Sequence, residues 1–282
     1  MPPQRVLPAP CHSAQLIAMS TVSVCVPVPG AELAVRIDGP AAAPVLLLSN
    51  SLSCELSMWD EQLPRWSRHW RVVRYDARGH GESRAAPGPF SIAQLAGDAL
   101  AVLDRLGIAR AHFCGLSMGG MVGMWLLSHA GERIDRAVLA NTAAHMGPPE
   151  LWDNRIALAR AGGIEATVGP TVERWFGSAF RERAPAAIER MRAMIRRTSL
   201  EGYAGCCAAI REMDQRAALG TVSRPTLVVI GARDPATTPK EGRLIEASIP
   251  GAIAVELDAG HISNVEQPEA FGAAVEIFLL AG

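Results

Sequence analysis

Residues 111–129 read AHFCGLSMGGMVGMWLLSH and contain two apolar runs joined by a short motif rich in glycine. Its start, residues 111–114, is a short apolar run typical of a buried strand, whereas residues 119–128 have the pattern of a buried helix. Between them lies the motif Gly115-Leu116-Ser117-Met118-Gly119, a G-x-S-x-G sequence. Its glycines allow a backbone turn tight enough to expose a serine at the start of a helix. The order of strand, turn and helix therefore predicts a nucleophile elbow that carries Ser117.

Short apolar runs alternate with helical patterns on both sides of this motif. Further strands are predicted at residues 45–49, 71–75, 134–141, 226–231 and 253–257, and further helices at 92–106 and 265–280. Residues 21–26 and 33–38 precede them and predict an antiparallel hairpin. Alternation of strand and helix predicts an α/β fold with a mostly parallel sheet and helices on both faces.

One long stretch, residues 143–220, interrupts this alternation. It contains only helical patterns, two of which, at residues 179–183 and 188–197, are rich in arginine. We interpret it as a helical cap inserted above one end of the sheet. The core then consists of residues 21–142 and 221–282, and the proline-rich residues 1–20 are expected to form a flexible tail.

The composition argues against several classes of function. The 282 residues include 27 Lys and Arg against 28 Asp and Glu, so no charge excess indicates binding to nucleic acid or to an anionic membrane. Residues 113–130 are uncharged, but glycines and serines interrupt the run, which argues against a membrane span. The six cysteines show no C-x-x-C spacing, and this pattern indicates a reducing compartment, which predicts a cytoplasmic location.

A serine nucleophile needs a base, and the base needs an acid that orients it. Asp234 and His261 each follow a predicted strand, and the carboxyl ends of parallel strands meet in one crevice. We therefore predict Ser117, Asp234 and His261 as the catalytic triad. The rival residues lie in the tail, within predicted elements, in the insertion or too close to His261: His12, His69, His112, His129, His145, Asp214 and Asp258. Of these, His145 is the main competitor.

An oxyanion hole requires two N–H donors, one of them directly after the nucleophile. Met118 supplies that donor, and Leu52, in the loop after the strand at residues 45–49, is predicted to supply the second. Residues 78–83 (RGHGES) invite interpretation as a His/Glu site. We interpret them instead as a glycine-rich turn that shapes the wall of the cleft. The sequence has no cluster with metal-ligand spacing, so no metal is predicted.

Several blocks beyond the triad resemble the 3-oxoadipate enol-lactonases of bacterial aromatic catabolism, within the α/β-hydrolase superfamily. The blocks begin at residues 114, 139, 147, 202 and 263 and read CGLSMGGMVGMW, LANT, GPPELW, GYAGCCAAIR and SNVEQP. Two of them lie in the insertion, the part that varies most between hydrolases. The resemblance implies an α/β-hydrolase fold, the same triad and oxyanion turn, and hydrolysis without metal or cofactor.

The resemblance also implies a small lactone substrate that bears a carboxylate. A partly buried carboxylate needs a cation or several N–H donors. The insertion offers Arg155, Arg174 and Arg211, and we predict Arg211 together with Trp152 as substrate contacts because both lie in the resembling blocks.

Two alternative readings remain open at this point. The triad alone is equally compatible with a carboxylesterase, a carbon–carbon bond hydrolase or a cofactor-free perhydrolase that has a helical cap. A ligand receptor on the same scaffold can also keep an intact triad, and only multiple turnovers distinguish the enzyme from it. The sequence does not indicate an oligomeric state.

Overall fold

The computed structural model describes residues 21–281, so the predicted tail at residues 1–20 lies outside the described residues. The strands are β1 (Val22–Val28), β2 (Ala31–Asp38), β3 (Val45–Ser49), β4 (Arg71–Tyr75), β5 (Arg84–Ala85), β6 (Ala111–Leu116), β7 (Ile134–Ala140), β8 (Thr226–Gly231) and β9 (Ile253–Leu257). The α-helices are α1 (Leu63–Trp66), α2 (Ile92–Arg105), α3 (Met118–His129), α4 (Pro149–Gly162), α5 (Glu165–Trp175), α6 (Ser178–Arg183), α7 (Pro185–Arg196), α8 (Leu200–Arg211), α9 (Pro239–Ser248), α10 (Ser263–Glu266) and α11 (Pro268–Leu280).

The strands form one sheet in the order β1-β2-β4-β3-β6-β7-β8-β9, with β5 paired to β2. The pairs from β4 to β9 are parallel, whereas β2 runs antiparallel to β1, β4 and β5. The predicted α/β fold with a mostly parallel sheet is therefore confirmed. The hairpin turns at Gly30, whose φ of 72° is a left-handed conformation that glycine adopts without strain.

Apolar side chains on the two faces of the sheet pack into separate cores. In β3, Leu47 belongs to the core formed with α2 and α3, whereas Leu46 and Leu48 belong to the core formed with α1 and α11. This alternation follows from the two-residue period of a strand. It explains why the strands read as continuous apolar runs, because both faces are covered by helices.

The boundaries of two predicted helices differ from those in the structure. Ser91 caps α2 as its side chain accepts a hydrogen bond from the Gln94 N–H at 3.1 Å, and α2 ends one residue before the predicted end. The helix predicted over residues 265–280 is in fact two helices, α10 and α11. Pro268 begins the second, because proline lacks the N–H that would continue the first.

Helices α4 to α8 occupy the stretch between β7 and β8, and among the described residues no strand of the sheet lies there. Backbone hydrogen bonds tie this stretch to the core. The Phe90 N–H donates to the Gly205 carbonyl at 3.2 Å, and the Ser199 N–H donates to the Gly79 carbonyl at 2.7 Å. We propose, on this basis, that residues 143–220 form a cap on the core. Within residues 21–281, no helix combines the length and the apolar character needed to cross a membrane.

Candidate active site

The backbone bends sharply where β6 meets α3. Ser117 lies between them with φ 57° and ψ −113°, a combination that a residue other than glycine rarely adopts. The bend requires close backbone approach on both sides. A Cβ atom on Gly115 would overlap the Gly119 carbonyl, and one on Gly119 would overlap the Ser49 carbonyl. Small residues thus let the turn form, and the turn holds the serine side chain in front of the helix.

Three side chains from separate loops meet at this bend. The Ser117 hydroxyl lies 2.9 Å from Nε2 of His261, and Nδ1 of the same ring lies 2.8 Å from Oδ2 of Asp234. Asp234 follows β8 and His261 follows β9, so both reach the carboxyl edge of the sheet from neighbouring strands. All three side chains are buried. The structure thus brings together the three residues expected from the sequence, at distances suited to proton transfer.

The Asp234 carboxylate is held by more donors than the sequence suggested. Oδ1 accepts the N–H groups of Ala236 and Thr237 at 2.8 and 3.0 Å, and Oδ2 accepts the Thr237 hydroxyl at 2.7 Å and the Asn141 amide at 3.1 Å. Burial by itself would raise the pKa of Asp234. The charge and hydrogen bond of His261 and the bonds from Thr237 outweigh burial, so the pKa lies below its ordinary value. Asp234 is thereby kept ionised beside the imidazole.

Asn141 and Thr237 were missed in the sequence, although signals for both exist. Asn141 directly follows the carboxyl end of β7, the edge at which the other site residues meet. It has φ 43°, which asparagine tolerates better than most residues. Thr237 lies three residues after Asp234, within the spacing at which an Asp side chain bonds local backbone N–H groups.

The two residues predicted for the oxyanion hole, Leu52 and Met118, both lie close to Ser117. Met118 is the first residue of α3, so its N–H has no carbonyl one turn earlier in that helix. Leu52 lies in the loop after β3 and borders the same cavity as Ser117 and His261. Among the hydrogen bonds of the described residues, none uses the Leu52 N–H. Both groups are therefore available to an oxygen atom in front of Ser117.

The triad opens onto a small cavity between the cap and the sheet. Its free volume is about 40 Å³. Its walls include Leu52, Met121, Met146, Trp152, Arg155, Thr171, Arg174, Trp175, Tyr203, Ile210 and Thr237. Because a volume of this size holds at most a few water molecules, a larger substrate can enter only when the cap or the lining side chains move.

Two arginines of the cap reach this cavity. The Arg155 guanidinium stacks over the Trp152 ring at 4.3 Å, and Arg174 Nη2 donates to the Thr171 hydroxyl at 3.0 Å. Neither forms an ion pair with a carboxylate of the described residues. Burial, followed by the charge of Arg155, lowers the pKa of Arg174. An anion bound between the two guanidinium groups would offset both the cost of burying Arg174 and its repulsion by Arg155.

The placement of Arg211 contradicts its prediction as a substrate contact. It borders a separate, larger groove on the outer side of α4 and α8, where it pairs with Asp153 and with Glu212. Its neighbour Ile210 faces the triad cavity, and consecutive side chains of a helix point about 100° apart. Arg211 therefore turns away from the triad cavity, whereas Arg155 and Arg174 line it. Trp152 does line the triad cavity.

His145, the main competitor, has structural partners instead, and His12 lies outside the described residues. His145 lies against the carbonyl of Met213, with Nδ1 at 3.1 Å, and its backbone pairs with Asp214. The turn at residues 78–83 borders the loop of Leu52, because the Ser53 N–H donates to Nε2 of His80 at 3.0 Å. None of the described residues that line the triad cavity belongs to this turn, so its part in shaping the cleft stays a prediction, and its histidine makes a contact that the sequence did not reveal.

Known proteins resemble this chain over most of its length. The family model for the alpha/beta hydrolase fold matches residues 44–268. A 3-oxoadipate enol-lactonase of Acinetobacter baylyi is 43% identical over 84% of this chain and 89% of its own. The structure of an enol-lactonase from Burkholderia xenovorans has a TM-score of 0.89 at 46% identity, over 91% of this chain and 99% of the other. A hydrolase structure from Pseudomonas aeruginosa gives 0.88 at 50% identity, over 94% and 100%.

Proposed function

This chain belongs to the α/β-hydrolase family, together with the 3-oxoadipate enol-lactonases, and we propose that it opens 3-oxoadipate enol-lactone to 3-oxoadipate in the β-ketoadipate pathway. Ser117 is the nucleophile, His261 the general base and Asp234 the acid that orients it. The substrate is a ring ester whose leaving oxygen is an enol, a better leaving group than a simple alkoxide. Its side chain bears a free carboxylate.

The first half of the reaction forms an acyl-enzyme. The Ser117 hydroxyl attacks the ring carbonyl carbon while Nε2 of His261, 2.9 Å away, takes its proton. The new oxyanion is held by the N–H groups of Leu52 and Met118, each of which contributes about 3 kcal/mol to the barrier reduction in comparable sites. The ring C–O bond then breaks, and His261 returns the proton to the enol oxygen. The enol remains on the same acyl chain and becomes the ketone.

Water completes the reaction. His261 takes a proton from a water molecule that attacks the acyl carbon, and the bond to Ser117 breaks as the serine oxygen is reprotonated. Asp234 keeps the imidazole in the tautomer that has its hydrogen on Nδ1 and stabilises the imidazolium that forms. The free acid is 3-oxoadipate. None of these steps needs a metal ion or a cofactor.

The observation that carries the substrate assignment is the pair of guanidinium groups in the triad cavity. Arg155 and Arg174 both lie in the proposed cap, and neither forms an ion pair within residues 21–281, although the charge of Glu173 opposes the lowering of the Arg174 pKa. In an esterase for uncharged esters, two such cations near the nucleophile would bind no substrate group, and their desolvation would cost free energy. A substrate carboxylate makes charge-assisted hydrogen bonds with them. This arrangement favours an anionic lactone over a neutral ester.

The assignment is tested by following the loss of enol-lactone ultraviolet absorbance, with the unstable lactone made in situ. We expect many turnovers per molecule and a kcat/KM far above that for nitrophenyl acetate. Rapid ester cleavage with an untouched lactone would overturn the substrate while leaving a serine hydrolase. At most a few slow events per molecule on either compound would indicate a receptor instead. That the chain acts in the cytoplasm and binds neither nucleic acid nor membrane stays a prediction.

A further inference from the structure

The loop that carries Leu52 contains a strained turn. The Ser51 carbonyl accepts the Cys54 N–H at 3.0 Å, which closes a four-residue turn with Leu52 and Ser53 at its centre. Ser53 has φ 64°, whereas Leu52 is not among the residues with positive φ. This is the pattern of a type II turn, in which the third residue is normally glycine. A serine there needs an outside contact that holds the central peptide in this orientation.

His80 makes that contact. The Ser53 N–H donates to Nε2 of His80 at 3.0 Å, and Nδ1 of the ring lies 2.9 Å from the Arg78 carbonyl. A backbone N–H can only donate and a carbonyl can only accept, so the ring must be neutral with its hydrogen on Nδ1. Both ring nitrogens are used, and the side chain is fully buried. Burial lowers the pKa of His80 to about 4, which favours the same neutral form.

The Arg78 carbonyl, which orients the His80 ring, is itself held in place. The Arg78 guanidinium donates two hydrogen bonds to Asp98 of α2, at 2.5 and 2.6 Å, and a third to the Pro29 carbonyl at 2.8 Å. Both members of the Arg78–Asp98 pair are buried. Bidentate pairs of this kind fix orientation as well as position. The carbonyl that orients His80 is therefore anchored to the hairpin and to a core helix, and the Ser199 N–H also holds the next carbonyl, that of Gly79, at 2.7 Å.

We propose that His80 is a positioning residue for the oxyanion hole: by holding the Ser53 N–H, it keeps the turn in the form that presents the Leu52 N–H to the cavity. This inference rests on the role of Leu52 in the proposed function. Without the imidazole acceptor, rotation of the Leu52–Ser53 peptide would release Ser53 from its left-handed conformation and move Leu52. This movement should weaken stabilisation of the transition state rather than substrate binding. The reason is that negative charge develops on the carbonyl oxygen only as the tetrahedral intermediate forms.

The test compares His80→Leu, which removes the acceptor, with His80→Gln, whose amide oxygen can accept the Ser53 N–H. For His80→Leu we expect kcat to fall roughly 10- to 100-fold on both the lactone and nitrophenyl acetate, with KM changed less than about twofold. A trifluoromethyl ketone that mimics the tetrahedral intermediate should bind more weakly by a similar factor, whereas the affinity for the product should not change. His80→Gln should recover most of the loss.

A second substitution separates positioning from general stability. Ser53→Gly removes the cost of positive φ, so in the His80→Leu background it should restore much of kcat. A wild-type kcat in folded His80→Leu would overturn the proposal. So would a loss that tracks thermal stability and that Ser53→Gly does not restore.

Two further measurements apply if His80→Leu does not fold or if the wild type does not cleave the lactone. If His80→Leu does not fold, ¹⁵N NMR of the wild-type imidazole decides, because a hydrogen on Nε2 would overturn the proposal and one on Nδ1 would support it. If the wild type cleaves nitrophenyl acetate but not the lactone, the substrate assignment fails. The His80 series is then still measured with the ester, so the two failures remain distinguishable.

Discussion

At the scale of single residues, the cavity contains an electrostatic imbalance. The guanidinium groups of Arg155 and Arg174 line the same space, and the pKa of Arg174 is lowered by burial and then by the charge of Arg155. The aromatic face of Trp152 offsets part of this cost by a cation–π contact with Arg155. A substrate carboxylate would offset more of it, so the two arginines would stabilise a bound anion relative to the empty site.

Replacing one of these cations should therefore change specificity more than chemistry. For Arg155→Met we expect kcat/KM for the enol-lactone to fall roughly 10- to 100-fold, mostly through KM, because a charge-assisted hydrogen bond contributes about 1.5–3 kcal/mol. The rate with uncharged nitrophenyl acetate should change little. Arg211→Met is the matched control, since Arg211 lies in the outer groove and should leave both rates unchanged. Equal losses on both substrates in Arg155→Met would contradict the assigned role.

At the scale of elements, the site depends on how closely β6, α3 and β3 approach each other. Gly119, in the first turn of α3, packs against the Ser49 carbonyl at the end of β3. This contact sets the distance between the elbow with Ser117 and the loop with Leu52. The two N–H donors of the proposed oxyanion hole come from these two elements, so their spacing is fixed by a residue without a side chain.

A methyl group at this point should separate the elements. We expect Gly119→Ala to lower the free energy of unfolding by about 1–3 kcal/mol and to reduce nitrophenyl acetate hydrolysis strongly, because the added atom overlaps backbone. Gly97→Ala is the control: it lies on the exposed face of α2 with nothing near its position, and alanine there should stabilise by about 0.5–1 kcal/mol. Denaturant unfolding of both variants provides the comparison. A Gly119→Ala protein as stable and as active as the wild type would refute this account of the elbow.

Local patterns in the sequence predicted the elements that position the site. The elbow could be predicted because glycine spacing, strand and helix are all local signals, and Asp234 and His261 because each follows an apolar run. The choice among cap arginines failed, because the direction of a side chain depends on which helix face packs inward. Ile210 rather than Arg211 faces the cavity, and nothing local to α8 indicated it. The contact between Ser53 and His80 joins segments 27 residues apart, and such pairings emerge only in the folded chain.

At the scale of the whole molecule, Ser117, Asp234 and His261 lie where helices α4 to α8 meet the carboxyl edge of the sheet. The backbone N–H of His261, the proposed general base, donates to the Trp175 carbonyl at the end of α5, at 2.9 Å, so this residue is tied directly to the proposed cap. The core below supplies Ser117 and the Asp234 loop. A movement of these helices that enlarged the cavity would therefore act on His261 as well as on the two arginines.

The buried polar groups of the core make global stability depend on pH. His80 has a pKa of about 4 in the fold against an ordinary value of 6.5, so the unfolded chain binds more protons between these values. Its contribution to stability is fully present above pH 6.5 and is lost as the pH falls toward 4. Burial raises the pKa of Asp76 to about 6, which gives the opposite dependence. A variant of His80 retains Asp76. The difference in the free energy of unfolding between the wild type and such a variant therefore reports the contribution of the histidine.

We therefore expect the free energy of unfolding of the wild type, relative to that of His80→Gln, to rise with pH between about 4 and 6.5. The slope of this difference should approach but not exceed about 1.4 kcal/mol per pH unit, the limit for a single proton. Urea unfolding of both proteins at several pH values measures it. A difference that is independent of pH would mean that His80 is not held neutral in the fold.

The most direct test of the central claim is the rate of enol-lactone loss with Ser117→Ala, measured beside the wild type at equal protein concentration. Removal of the hydroxyl deletes the nucleophile and leaves the arginines and the oxyanion donors in place. We predict a fall of roughly 10⁴-fold or more, with the far-ultraviolet circular dichroism unchanged. A folded Ser117→Ala protein that opens the lactone within tenfold of the wild-type rate would contradict catalysis by Ser117, His261 and Asp234.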